Sequence, residues 1–166
     1  MDNNEKKMNR NQNYKVFLEI FGLFFLSIIL CFGLYYKQEK VGKIDSVNSI
    51  ECGNGYECQL DCVDISDKDI IIQGWAYKKD ENTQYFDTKV ILKYLDADEY
   101  YEIATAFQCR PDVTEIKGEG KFEYGNSGFF SRVQKTKLPK GQYEILINYN
   151  QHSDNVFIAT GYMLEI

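Results

Sequence analysis

Hydrophobic and polar positions change rhythm once along this chain, after residue 36. From Val16 to Tyr36 the run VFLEIFGLFFLSIILCFGLYY is apolar without a period, with fourteen Val, Ile, Leu or Phe in 21 residues and Glu19 as its one charge. Beyond it no stretch keeps a helical period, and alternation every second residue recurs instead, the mark of half-buried strands. Between Gly141 and Asn150, Tyr143, Ile145, Ile147 and Tyr149 fall on one face and Gln142, Glu144 and Asn148 on the other. Val90, Leu92 and Tyr94 alternate with Lys89 and Lys93, and Tyr101, Ile103, Thr105 and Phe107 form another such row. Further strands are expected at 57–65, 69–78, 128–136 and 156–165, which brings the number to seven. Turn chemistry separates them at Lys79–Asn82, Asp96–Glu99, Gly125–Gly128, Pro139–Gly141 and Gln151–Asp154. Asp112 and Glu115 have capping-box spacing and predict one helical turn, where Pro111 ends a strand by its missing amide hydrogen.

The predicted organisation is a cytoplasmic tail over 1–15, an uncleaved membrane helix over 16–36, a stalk over 37–51 and a folded domain over 52–166. At about 1.5 Å per residue the apolar run spans roughly 31 Å, the thickness of a hydrocarbon core. Its apolar side chains favour insertion by about 4–8 kcal/mol, against at most about 3 kcal/mol for Glu19. A cleavable leader would have a shorter core and a small-x-small site, whereas residues 31–36 read CFGLYY. Leu30 before Cys31 fits a lipid-modified cysteine equally poorly. Seven short strands over about 115 residues predict an all-β, antiparallel β-sandwich of immunoglobulin-like size, with a small barrel as the alternative.

Charge sharpens the division. Residues 1–43 carry seven Lys/Arg against four Asp/Glu, and residues 44–166 twelve against twenty-one, so a +3 segment precedes a −9 domain. An acidic domain without a basic stripe disfavours nucleic acid. The basic residues flank the helix four before and three after, a slight positive-inside bias that puts the N-terminus in the cytoplasm. Cys52, Cys58, Cys62 and Cys109 support that orientation as an even set suited to an oxidising exterior. Four cysteines allow three pairings; the expected one joins Cys52 to Cys58 across Gly53-Asn54-Gly55 and Cys62 to Cys109. As a zinc site the C-x5-C-x3-C spacing lacks the usual knuckle.

Catalytic patterns are weak. The single histidine, His152, stands beside Ser153 and Asp154 in a predicted hairpin, where neighbours make a poor relay. Cys31 lies in the apolar run, where a thiolate is disfavoured. Asp96, Asp98 and Glu99, and Asp64, Asp67 and Asp69, leave a calcium turn open while lacking the EF-hand's glycine and terminal glutamate. The expectation is therefore no enzyme and no cofactor. Tyr85, Phe86, Tyr100, Tyr124 and Phe130 are candidate sugar-stacking aromatics, weighed against the general preference of aromatics for strands.

Four short motifs occur in order: Ile72-Gln73-Gly74-Trp75-Ala76, Arg110-Pro111-Asp112-Val113, Asn126-Ser127-Gly128-Phe129 and Leu138-Pro139-Lys140-Gly141-Gln142-Tyr143. Over about residues 65–166 this order resembles poorly characterised bacterial β-sandwich modules of membrane-anchored proteins associated with cell-surface polysaccharide. The resemblance implies a non-catalytic accessory or recognition module for envelope glycan. It also implies structural roles: close backbone approach at Gly74 and Gly128, core filling by Trp75, and a loop pinned between the two sheets by Arg110 and Asp112, with Phe129, Gly141 and Tyr143 as further structural residues of the motifs. Its expected partners are lipid along 16–36 and envelope polysaccharide or another membrane protein. The alternative is a structural or protein-interaction module without glycan binding.

Overall fold

A computed structural model describes residues 3–38, 41–45, 47–151 and 154–166, with the side chains of the first helix described over 15–34. The chain divides into two compact units, Met1–Gln38 and Glu39–Ile166. The first is one helix, α1 (Asn3–Gln38). Within it Lys15–Leu34 has mean hydropathy 2.5 and is long and apolar enough to cross a membrane. Its apolar side chains are exposed all round, from Phe17 to Leu34, an arrangement that water penalises and lipid does not.

The second unit holds ten described strands: β1 (Gly42–Ile44), β2 (Ser49–Glu51), β3 (Tyr56–Ile65), β4 (Asp69–Lys78), β5 (Thr88–Tyr94), β6 (Glu99–Ile103), β7 (Thr105–Gln108), β8 (Gly128–Gln134), β9 (Gln142–Gln151) and β10 (Asp154–Glu165). They form a six-stranded sheet in the order β1-β6-β5-β9-β10-β2 and a four-stranded sheet in the order β3-β4-β8-β7. Neighbours are antiparallel except β2, which runs parallel to β10. A short helix α2 (Pro111–Lys117) joins β7 to β8.

One core lies between the sheets. Ile70, Ile72 and Ala76 of β4 and Phe129 and Val133 of β8 meet Val90, Leu92, Ile145, Ile147, Tyr149 and Ile158 of the other sheet. The face expected from the alternation of β9 is buried throughout, Tyr143, Ile145, Ile147 and Tyr149 included. Gly74 belongs to this packing: a Cβ there would lie 2.2 Å from the Gln59 carbonyl oxygen, across the pairing that β3 interrupts with a bulge between Leu60 and Cys62.

Ten strands replace the seven expected, for two reasons. The single row over 101–107 divides at Ala104, leaving β6 in the larger sheet and β7 in the smaller. The Thr105 hydroxyl sits at that crossing: it accepts from Val90 N at 2.9 Å and Ser131 Oγ at 2.9 Å and donates to Ile103 O at 3.0 Å. The stretch read as a stalk supplies the other two strands, β1 on β6 and β2 on β10. Their connection covers the outer face of the larger sheet, where Ile44, Val47, Phe157 and Ala159 pack on buried Ile91, Tyr100 and Leu146. Three-residue strands give too little alternation to stand out in a sequence.

The predicted helical turn exists and runs longer, with different capping. Arg110 is the N-cap residue, without a side-chain cap, and Pro111 opens the helix. The Asp112 carboxylate binds Arg110 instead of capping. The loop carrying α2 covers the outer face of the smaller sheet, where Val113 packs with Trp75, Tyr77 and Tyr124. Trp75 is thus buried under that loop and not between the sheets.

The two expected disulfides are not present: all five cysteines are thiols. Cys62 faces outward from β3 opposite Gln73, and Cys109 follows β7 at the other edge of that sheet, with β4 and β8 between.

Candidate functional site

Outward-facing positions of four adjacent strands line a groove of about 340 Å³ on the six-stranded sheet. Glu102 comes from β6, Lys89 from β5, Asn148 and Asn150 from β9, and Asn155 and Phe157 from β10. Asp87, just before β5, closes one end, while Ile44, Asp45 and Val47 approach from the β1–β2 connection. Register brings these side chains together, since Lys89 stands opposite Asn148, and Asn148 and Asn150 stand opposite Phe157 and Asn155.

The polar groups are paired across strands. Lys89 Nζ lies 3.0 and 3.2 Å from the two Glu102 carboxylate oxygens. Asn148 Nδ2 donates to Asn155 Oδ1 at 2.7 Å, and Asn150 Nδ2 donates to Asp87 Oδ2 at 2.6 Å. A backbone bond from Asn150 N to Asp87 O at 3.1 Å holds that end in place. These contacts fix side-chain orientation at little further entropy cost on binding. Asn148 is only 8% exposed, although its strand pattern marks it as a solvent position.

The chemistry of this lining favours a neutral polar ligand. Three carboxylates against one lysine, itself ion-paired, repel an anion. Amide and carboxylate groups satisfy hydroxyls in both directions, and Phe157 with Ile44 and Val47 offers apolar contact. Among the described lining residues there is no serine, cysteine or histidine to act as a nucleophile or an imidazole base.

The five aromatics singled out from the sequence do not form one platform. Tyr85 is 46% exposed in the loop before β5, next to Phe86, which packs partly into the main core with its ring 5.5 Å from that of Phe107. Tyr100 is 4% exposed, lying with Ile91 and Leu146 beneath the β1–β2 connection. Tyr124 is 1% exposed and stacks at 3.9 Å on Tyr77, which stacks at 5.4 Å on Trp75. Phe130 is half-buried on β8, paired with Gln73 and Ala106. Burial removes Tyr100 and Tyr124 as sugar contacts.

The motif residues take packing positions. A Cβ on Gly128 would lie 2.3 Å from both Arg110 Cγ and the Gln108 carbonyl oxygen, so the arginine stem crosses where a side chain would stand. Its guanidinium binds Asp112 through Nε and Nη2, the latter at 2.7 Å, and reaches Asp61 on the β3 bulge. These partners raise the Arg110 pKa, the hydrogen bond to Asp112 foremost, and Arg110 holds the Asp112 carboxyl below its usual range. Phe129 is fully buried. Gly141, at φ +144°, exchanges backbone bonds with Ile166 at 3.1 and 3.0 Å. Tyr143 donates its hydroxyl to the Pro139 carbonyl at 2.7 Å.

Of the carboxylate clusters, Asp69 binds Arg132 at 2.7 Å, and Asp98 lies 3.7 Å from Lys93. Among the described residues no three His, Cys, Asp or Glu side chains are grouped to hold a metal. His152 and Ser153 lie outside the described residues. The groove was not singled out in the sequence because its members are ordinary outward polar positions on separate strands. The one local signal is the density of amides, Asn148, Asn150 and Asn155, around the last hairpin.

Helix and sheets together define a class: a mostly β domain of two sheets carried behind one helix long and apolar enough to span a membrane. Comparison with protein-family models, curated proteins and solved structures returned no match.

Proposed function

We propose that this chain is a single-pass membrane protein, N-terminus in the cytoplasm, whose extracytoplasmic immunoglobulin-like sandwich recognises a saccharide unit of envelope glycan without catalysing its conversion. The observation that carries this reading is the groove on the larger sheet, where paired amides and carboxylates surround Phe157. Protein–sugar recognition needs hydroxyl donors and acceptors held in advance, because each immobilised side chain otherwise subtracts about 0.5–1.5 kcal/mol from binding. The immunoglobulin-like assignment is supported by the Tyr143–Pro139 bond, which has the form of a tyrosine corner, and by a strand that changes sheet at Ala104. The ordered motifs from Gly74 to Tyr143 resemble bacterial modules of this kind and agree with the reading.

The test is titration calorimetry of neutral envelope-type oligosaccharides into residues 39–166, with Asn148→Ala and Asn150→Ala as variants. Each variant should weaken binding about tenfold, the loss of one well-made hydrogen bond. Absence of affinity for any such saccharide, together with capture of a specific membrane protein, would reject the glycan reading in favour of an interaction module.

A further inference from the structure

The β2–β3 connection brings two thiols together at the boundary between the sheets. Cys52 follows β2 of the six-stranded sheet, and its amide donates to Ala159 O at 3.4 Å on β10. Cys58 lies on β3 of the four-stranded sheet, opposite Ala76. Between them the chain turns through Gly53-Asn54-Gly55, closed by Gly53 N donating to Tyr56 O at 2.7 Å. Cys52 Sγ accepts the Cys58 N–H at 3.0 Å and donates to the Cys58 carbonyl at 3.3 Å. Both pack partly buried against the main core. Cys62, four residues along β3, and Cys109, after β7 at the other edge of the smaller sheet, are exposed.

We propose that Cys52 and Cys58 are a dithiol site that a small-molecule disulfide oxidises to one internal bond, tying the two sheets together. One cysteine thiolate attacks a sulfur of the oxidant and expels a thiolate. The second cysteine thiolate then attacks the mixed disulfide, closing the Cys52–Cys58 bond and expelling the other half. Two electrons pass from the cysteine sulfurs to the oxidant, and the two protons the cysteines lose end on the released thiols. The loop closed is short, so the ring needs the two residues side by side, which the bonds between Cys52 Sγ and the Cys58 backbone provide. Burial, aided by the hydrogen bond with Cys52, pushes the Cys58 thiol upward, so closure is slow at neutral pH and quickens as pH rises.

The reduced full chain in detergent is incubated with oxidised glutathione, alkylated and cleaved after glutamates, because Glu57 separates Cys52 from Cys58. The expected result is a reductant-sensitive link between the fragment 52–57 and the fragment that begins at Cys58, retained in Cys62→Ser/Cys109→Ser and lost in Cys58→Ser. Oxidation should also raise the melting temperature of that double variant by roughly 5 °C. If Cys58→Ser fails to fold, Cys52→Ser serves in its place. Recovery of Cys52 alkylated or merely glutathionylated, or linked through Cys62 or Cys109, would overturn the proposal.

Discussion

Tyr77 and Tyr56 show how single side chains couple this fold to pH. Tyr77 is stacked between Trp75 and Tyr124, and burial first, then the nearby Glu57 charge, pushes its pKa up to about 12. Tyr56 donates to Asp154 at 2.9 Å, and burial first, then that bond, brings it to about 12 as well. In an unfolded chain both titrate near 10. Below about pH 10 folded and unfolded states therefore hold the same protons and the contribution to stability is complete. Between about 10 and 12 the unfolded chain loses protons first and stability falls as pH rises. Urea midpoints of residues 39–166 should accordingly fall across that window, and Tyr77→Phe should flatten the fall; an unchanged slope in the variant would show that the ring titrates as in water. Arg110 is the counterpart in structure: a stem laid over Gly128 and a head between Asp112 and Asp61 fix the loop that covers Trp75.

At the scale of elements, each sheet has one face in the shared core and a covering on the other. The smaller sheet is covered by the α2 loop, the larger by the β1–β2 connection. The latter is held by two three-residue strands and by Ile44 and Val47 on Ile91, Tyr100 and Leu146. Burying an aspartate in place of Val47 removes that apolar contact and adds a desolvation cost, for a loss of about 1–3 kcal/mol. Hydrogen exchange on Val47→Asp should show faster exchange at β1 and β2 while β4 and β9 keep their protection. Equal acceleration everywhere would mean that the covering segment and the core unfold as one unit.

At the scale of the whole molecule, an apolar helix and an acidic β domain demand different surroundings. A span of 20 residues with mean hydropathy 2.5 covers roughly 30 Å, and its large apolar side chains are exposed. The full chain should stay in membranes washed with alkaline carbonate, whereas Leu26→Lys/Ile29→Lys, costing about 2.5–3.5 kcal/mol per lysine near the centre, should release a large fraction. Retention of the double variant would place the membrane attachment elsewhere.

The sequence by itself determined the apolar helix and most of the strands, because these are written in local periods: the run from Val16, the alternation at 141–150, and β4 at the bounds expected for it. It also marked where the chain turns, through Pro111, Gly141 and the asparagine and aspartate clusters. Tertiary structure alone decided what those elements face. The row over 101–107 belongs to two sheets because a hydroxyl at Thr105 serves both, which no period records. Tyr100 and Tyr124 are buried because segments distant in sequence cover them, and the groove around Asn148 exists because register places side chains of four strands together. Local spacing determines the direction a side chain takes from its own strand; what lies in that direction is set by contacts between residues far apart in the chain.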